Sequence, residues 1–199
     1  LCPHQDYVYF AFPTKEEQEQ LDAFSQQKNA LLQKLTSDPL FCQHLQTCQA
    51  LSGQISDDEL LNEPKYLSAT LIFLRSKGID FPKRFQDLLG AKKLPAFTLD
   101  WLEILLQGLL FQVPHWYNLP EEYEKQVLHE LKATSLIDRK QVKLVRNKKQ
   151  DLLLNQSLGK LNAVREIFKA EYQALGSRLR QLVLTDYIRQ DFEVHLGDK

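Results

Sequence analysis

Segment 139–149 is the part of the sequence whose residue types point most directly to binding chemistry. Its six basic side chains can neutralise several phosphates, which gives sequence-independent and salt-sensitive binding of a nucleic acid. A solvated turn without a ligand has the same composition, so both interpretations stay open. The chain carries 25 basic and 26 acidic residues, so any such attraction is local. The basic residues are Arg139, Lys140, Lys143, Arg146, Lys148 and Lys149, joined at a distance by Lys160.

Two further groups of side chains could bind a ligand. Thiolates and imidazoles suit zinc, but the spacing of Cys2, His4, Cys42, His44 and Cys48 matches no common zinc motif. Small buried cysteines with surface histidines are the favoured interpretation, and we predict no metal site.

The aromatic run His115-Trp116-Tyr117 could stack unpaired bases. Aromatic residues between two apolar helices more often fill a core, and we favour that interpretation.

Motifs for catalysis are absent from the sequence. It contains no phosphate-binding loop, no acidic pair after an apolar strand that would hold magnesium, and no nucleophile elbow. We therefore predict no catalytic residue and no cofactor within this chain.

The pattern of apolar residues and helix caps predicts a mainly α fold, a multi-helix domain with a few edge strands. Thr14-Lys15-Glu16-Glu17 and Ser56-Asp57-Asp58-Glu59 read as capping boxes, and Asp38-Pro39 as a helix start. Helices are expected over 14–36, 39–53, 64–78, 81–89, 99–111 and 120–134. Strands are expected over Tyr7–Phe12 and within 136–145.

Asn155–Ile188 is the stretch around which we expect the rest of the chain to be organised. Apolar residues at three- and four-residue steps predict a helix with Ser157 as N-cap and Gly176 as stop. Leu182-Val183-Leu184 then predicts a strand buried on both faces of a parallel sheet. Thr185, Asp186, Tyr187 and Arg189 follow it, at the edge where ligands gather in such sheets. The apolar stripe comprises Leu158, Leu161, Val164, Ile167, Phe168, Tyr172 and Leu175.

This helix, glycine turn and strand resemble the opening of the second RecA-like lobe in bacterial superfamily 2 (DEAD/DEAH-like) helicases. The resemblance rests on SLGKLNAVREIF, with Lys160-Leu161 near the helix start, and on LVLTDYIR. CPHQDYVYFAFP resembles the strand that leaves the first lobe.

The resemblance implies an internal segment between the two motor lobes, in a chain without methionine that we expect to be a fragment. Residues 1–13 would be the exit strand, 14–134 a helical insertion domain, and 135–199 a connector with the first helix and strand of the second lobe. Implied partners are DNA or RNA and the missing lobes, and the parent protein would use ATP and Mg2+. Arg189 would contact phosphate, with Thr185 and Tyr187 supporting it.

The alternative is a non-catalytic helical module for protein interaction or regulation, whose core residues 155–188 would complete. The odd number of cysteines favours a reducing compartment, and no apolar run reaches the ~20 residues that span a bilayer. We therefore expect a cytoplasmic location without membrane contact.

Overall fold

The structure is a computed structural model that describes residues 11–145, 147–155 and 157–183. These residues are mainly helical, with a single two-stranded antiparallel sheet in the described ranges, which confirms the predicted fold class. The chain divides into two compact units. One runs from Phe24 to Lys148, and the other combines the residues up to Ala23 with those from Lys149 onward. The predicted division at 13 and 134 concerns a longer protein and stays a prediction.

The elements follow in chain order, and the helices keep these labels below. The first group is α1 Lys15–Ser37, α2 Pro39–Gln46, α3 Gln49–Ser52, α4 Asp57–Asn62, α5 Pro64–Ser76 and α6 Lys83–Leu88. The second group is α7 Leu99–Gln107, a π-helical turn Gly108–Gln112, α8 Pro114–Tyr117, α9 Glu121–Ala133, β1 Ile137–Asp138, β2 Gln141–Val142, α10 Lys148–Asn155, α11 Leu158–Leu175 and a 3-10 turn Gly176–Arg178.

Side-chain caps start several of these helices where the sequence predicts them. Thr14 and Glu17 exchange the two hydrogen bonds of a capping box, from Thr14 N to Glu17 Oε2 (2.8 Å) and from Glu17 N to Thr14 Oγ1 (3.3 Å). Asp38 accepts from the backbone N–H of Leu40 at the start of α2. Ser157 caps α11 by accepting from Gly159 N. These short-range signals were therefore reliable.

Helix α5 is the centre of unit 24–148. Eight of its side chains are buried, and α2, α4 and α7 all pack against it. Phe73 makes edge-to-face contacts with Phe41 (centroids 5.4 Å apart) and Phe97 (5.5 Å). Each fully buried large apolar side chain contributes about 1.5–3 kcal/mol, so this cluster is a major source of the unit's stability.

Helix α7 is shorter than the sequence predicts. The expected helix over 99–111 ends as an α-helix at Gln107 and continues as a π-helical turn. At the junction, a Cβ built on Gly108 would lie 2.7 Å from Tyr66 Cδ1. Glycine therefore allows the backbone of α7 to approach the Tyr66 ring on α5. Because Gly108 meets Tyr66 near the start of α5 while Phe97, before α7, meets Phe73 near its end, the two helices run antiparallel.

Two predicted helical segments also differ from the structure. The predicted 39–53 helix is split into α2 and α3, with Cys48 at the N-cap of α3 and Gly53 in a left-handed conformation at its end. Ser56 caps Glu59 N as predicted, but the Glu59 carboxylate turns to the side chains of His115 and Trp116. Long-range hydrogen bonds thus replace the second half of this capping box.

The described residues after 155 contribute nothing to the apolar core. Every buried apolar residue of that core falls between Phe24 and Leu144. Gly159 is the only buried residue among those of α11, and Phe168 and Tyr172, stacked with centroids 5.9 Å apart, are exposed. The strand predicted at Leu182–Leu184 is wrong for its two described residues, since Leu182 and Val183 lie outside any strand and Leu182 is 80% exposed. Leu184 lies outside the described residues.

The strand predicted at the start of the chain is also not seen in its described part. Ala11 and Phe12 belong to no strand, and Phe12 is exposed. Tyr7 to Phe10 lie outside the described residues. A strand needs hydrogen-bonded neighbours, and the described residues around both predicted strands supply none.

Substituting Gly108 with alanine tests the close approach of α7 to α5. Alanine is favoured over glycine inside a helix by about 1 kcal/mol, so an open site would be stabilised. We expect Gly108→Ala instead to lower the free energy of unfolding by about 1–3 kcal/mol, the usual cost of overpacking. Urea denaturation measures this change, and an increase in stability would show that Tyr66 does not pack on Gly108.

Candidate nucleic-acid interface

A short β-hairpin carries the first half of the predicted basic segment. Ile137 pairs with Val142 and Asp138 with Gln141 in antiparallel register, which leaves Arg139 and Lys140 as the turn. Arg139 adopts a left-handed backbone (φ 57°) that non-glycine residues seldom take. The side chains of Arg139 and Lys140 are exposed, and Lys143 is half-buried just after β2. The hairpin therefore presents its cations at its tip and just after its second strand. We call Arg139, Lys140 and Lys143 the hairpin patch.

Helix α7 holds this hairpin as a neighbouring strand would. Gln107 Oε1 accepts from Val142 N (2.8 Å), and Gln107 Nε2 donates to Lys140 O (3.1 Å). One turn earlier on the helix, Glu103 Oε2 accepts from Leu144 N (2.6 Å) and Val145 N (3.0 Å). Residues four apart lie on one helix face, so these two side chains form a ladder that satisfies the outer edge of the hairpin.

Packing and a further hydrogen bond fix the hairpin from its other side. Leu136, Val142 and Leu144 are all buried in the core. Lys28 Nζ, on α1, donates to Leu144 O at 3.2 Å. The basic tip is therefore mounted on a rigid base, which reduces the entropy that a bound ligand would have to offset.

A polar cavity of about 310 Å³ lies beside the hairpin patch. Lys65 and Tyr66 of α5 line it from one side, and Glu103, Gln107, Gln141 and Lys143 from the other. Tyr66, whose ring centroid is 4.8 Å from Lys65 Nζ, and Glu63 raise the pKa of Lys65. This amine stays protonated at neutral pH. It is a cation near the hairpin that was not predicted from the sequence.

The remaining predicted contact residues are only partly described. Arg146 lies outside the described residues, and Lys148 and Lys149 begin α10 with side chains that are not described. Lys160 is exposed on α11, in the other unit. Thr185, Tyr187 and Arg189 lie outside the described residues. These seven assignments stay predictions.

The aromatic run of 115–117 has a structural role. Trp116 and Tyr117 are 1% and 2% exposed, so neither face is free to stack on a base. The indole Nε1 of Trp116 donates to Glu59 Oε1 (3.1 Å), and the Tyr117 hydroxyl lies 3.0 Å from Thr70 Oγ1. Burial raises the pKa of the Tyr117 phenol. His115 alone is exposed, with its Nε2 2.7 Å from Glu59 Oε1.

The cysteines and histidines do not gather into a ligand set in the part of the chain that the structure describes. No group of three or more histidine, cysteine or acidic side chains there has the geometry to hold a metal ion. Cys42 is half-buried and Cys48 is buried, both as free thiols. Cys2 and His4 lie outside the described residues.

Comparisons with known proteins identify no relative. No protein-family model matches the chain, and no curated protein or solved structure matches it either.

None of the helices in the described ranges combines the length and hydrophobicity needed to cross a bilayer.

Three residues of the candidate interface were not predicted from the sequence: Lys65, Glu103 and Gln107. Glu103 and Gln107 could have been noticed in the sequence, because they are polar residues four positions apart in a helix that is mainly apolar after Asp100. Such a pair predicts a polar partner on that face. The partner itself, a backbone edge some 40 residues away in sequence, follows only from the tertiary structure.

Replacing Glu103 with alanine tests the ladder. Two backbone N–H groups lose a charged acceptor, so we expect the free energy of unfolding to fall by about 1–3 kcal/mol. Hydrogen exchange at the amides of Leu144 and Val145 should accelerate more than the loss of global stability explains. Exchange at the amides of α5 should change only as much as the global stability does. The control is Glu122→Ala, an exposed glutamate of α9, which should change stability by less than about 0.5 kcal/mol. Unchanged exchange at both amides would contradict the ladder.

The burial of Cys48 predicts that the stability of the unit depends on pH. Burial, only partly offset by hydrogen bonds from the N–H groups of Leu51, Ala50 and Cys48 itself, raises the pKa of this thiol from 9.0 to about 11. Between these pH values the unfolded chain has lost the proton that the folded chain keeps, so stability falls as the pH rises. We expect the difference in unfolding free energy between the natural protein and Cys48→Ala to shrink by up to about 1.4 kcal/mol per pH unit in that window. Urea titrations of both proteins at pH 8–11 measure it, and parallel pH profiles would contradict the assignment.

Proposed function

We propose that this chain is a nucleic-acid-contacting segment of a bacterial superfamily 2 DNA helicase or translocase, located between its two RecA-like lobes. The observation that carries the proposal is the hairpin patch, an exposed basic turn held rigidly by Glu103 and Gln107. Contacts of this kind bind phosphates without reading sequence. A motor that moves along a strand needs contacts of that type.

The charge environment of the patch supports this role. Among the described residues, no acidic side chain forms a salt bridge with Arg139, Lys140 or Lys143, and Glu103 is occupied by two backbone amides. The cations are therefore available to an external anion. Lys65, whose Nζ lies 3.5 Å from Glu63 Oε2, adds a paired cation to the adjoining cavity.

The exposed stripe of α11 supports the link to a larger protein. Leu158, Leu161, Phe168, Tyr172 and Leu175 would be costly to leave in water over a whole helix face. In the proposed parent, this helix would open the second lobe and pack against that lobe's sheet. The lobes would bind ATP and Mg2+ and supply the hydrolysis, and the protein would act in the cytoplasm.

The alternative, a helical interaction or regulatory module, uses the same stripe differently. There the α11 stripe would bind another protein, and the hairpin would have no ligand. Its expectation that 155–188 complete the core of this chain is not met by the described part of that stretch, since only Gly159 and Ser157 are buried there. We therefore place it second.

Neutralising the hairpin patch tests the proposal. We expect Arg139→Gln/Lys140→Gln/Lys143→Gln to weaken binding of a labelled single-stranded DNA, measured by fluorescence anisotropy in the 199-residue chain. Three lost phosphate contacts should reduce the slope of log K against log salt by about 2.

The second half of the basic segment is tested in the same assay. Arg146→Gln/Lys148→Gln/Lys149→Gln should have an effect of similar size, because these side chains follow the hairpin directly in sequence. The matched control is Lys125→Gln, which neutralises an exposed cation on α9. Affinities and salt slopes equal to those of the control in both triple variants would remove the segment from the interface.

A further inference from the structure

A second group of basic side chains begins at the end of α5 and was not recognised in the sequence. Residues 75–93 hold six basic side chains against the acidic Asp80 and Asp87, in a chain whose overall charge is −1. All six basic side chains are exposed. We call them the Arg75 surface: Arg75, Lys77, Lys83, Arg84, Lys92 and Lys93.

These cations have no acidic partner in the part of the chain that the structure describes. Among the described residues, none of the six takes part in a salt bridge. Lys77 and Arg84 lie over the rings of Phe73 and Phe85, which holds their stems without removing their charge. The C-terminal partial charge of α5 accounts for cations in its last turn, such as Arg75. It does not account for the four cations from Lys83 to Lys93.

Arg75 is held in place between two cavities. Its Nη1 donates to Leu94 O at 3.2 Å, and the Arg75 side chain is otherwise exposed. The larger cavity, about 550 Å³, is lined by Arg75, Ser76 and segment 93–97. A second cavity of about 300 Å³, lined by Arg75 and by residues of 78–86, lies on its other side.

The larger cavity is apolar inside and cationic at its rim. Ile72 and Leu94 are buried beneath it, and Pro95, Ala96 and Phe97 complete its wall. Phe97 packs edge-on against Phe73 and is therefore fixed. Lys93 and Arg75 are the two cations in the lining of the cavity.

An apolar recess with cations at its rim fits a ligand that combines a flat apolar group with a nearby anion. A nucleotide of a single strand has this composition: the base can enter the recess while its phosphate meets a guanidinium and an ammonium. In a duplex the bases are stacked and paired, so only the phosphates would be available. Single-stranded nucleic acid is therefore the favoured occupant.

We propose that the Arg75 surface is a second nucleic-acid contact of this chain, which receives an unpaired base in the cavity and the adjoining phosphate on Arg75 and Lys93. The inference rests on the proposed function and adds to it a preference for single strands. Lys65 and Arg75 are ten residues apart on α5, which corresponds to about 15 Å along the helix. The two contacts therefore lie at opposite ends of α5 and can be removed independently.

Two variants test the phosphate contacts and the base-binding cavity separately. Arg75→Gln/Lys93→Gln removes two phosphate contacts, and we expect the salt slope for single-stranded DNA to fall by about 1.4. Ala96→Glu places an anion in the cavity wall at an exposed position. It should weaken binding of a single strand several-fold more than binding of a duplex of equal length.

Fluorescence anisotropy on the 199-residue chain measures both effects, with Lys125→Gln as the control and thermal unfolding as the check on folding. Lys93→Gln alone, which leaves the bond from Arg75 to Leu94 intact, should give about half of the slope change. Polyglutamate serves as a competitor without bases, and Ala96→Glu should weaken its binding no more than that of the duplex.

The outcomes distinguish this inference from the proposed function. If the hairpin variants lose affinity while the Arg75/Lys93 and Ala96 variants bind like the control, the proposed function stands and the second contact is wrong. If Ala96→Glu weakens single strand, duplex and polyglutamate equally, the base site is wrong. If the natural protein binds no oligonucleotide above the control signal, both proposals fall.

Discussion

The contact between α5 and α7 is the constraint on which the rest of unit 24–148 depends. Helix α5 is buried along most of its length, and α7 can lie against it because Gly108 has no side chain where the Tyr66 ring sits. This approach sets the direction of α7. The direction of α7 in turn decides where Glu103 and Gln107 point, and so where the hairpin is held.

The hairpin shows how a helical body can position a basic turn. An isolated two-stranded hairpin is marginally stable in water, and an exposed edge would leave backbone groups unpaired. Glu103 and Gln107 satisfy that edge with four hydrogen bonds, and Leu136, Val142 and Leu144 bury the inner face. The negative charge of Glu103 is used by backbone amides, so it weakens the positive field of the hairpin patch less than a free carboxylate would.

Local signals in the sequence predicted the helices well, and distant contacts explain what they missed. The caps at Thr14, Asp38 and Ser157 and the stops at Gly53 and Gly176 involve neighbours in sequence, and each is present. The split between α2 and α3 and the π-helical turn after α7 arise from packing, which no local pattern records. The apolar run at Leu182–Val183 was typical of a strand, but a strand also requires partners, and the described residues provide none.

The basic residues of the candidate site could be predicted from the sequence, but the contacts that hold them in place could not. The density of lysine and arginine in 139–149 marked the hairpin, while the residues that fix it lie on α1 and α7. The Arg75 surface was missed because its cations are spread over 19 residues with apolar positions between them. Only the fold brings Arg75 and Lys93 to the rim of one cavity.

The most direct test of the account is a two-dimensional amide NMR titration of the 199-residue chain with a single-stranded oligonucleotide. We predict chemical-shift changes at residues 139–145 and 75–93, which weaken together as salt is added. Shifts that are absent, or that are confined to α11 and leave both basic surfaces unchanged, would contradict the assignment of this chain to nucleic-acid contact.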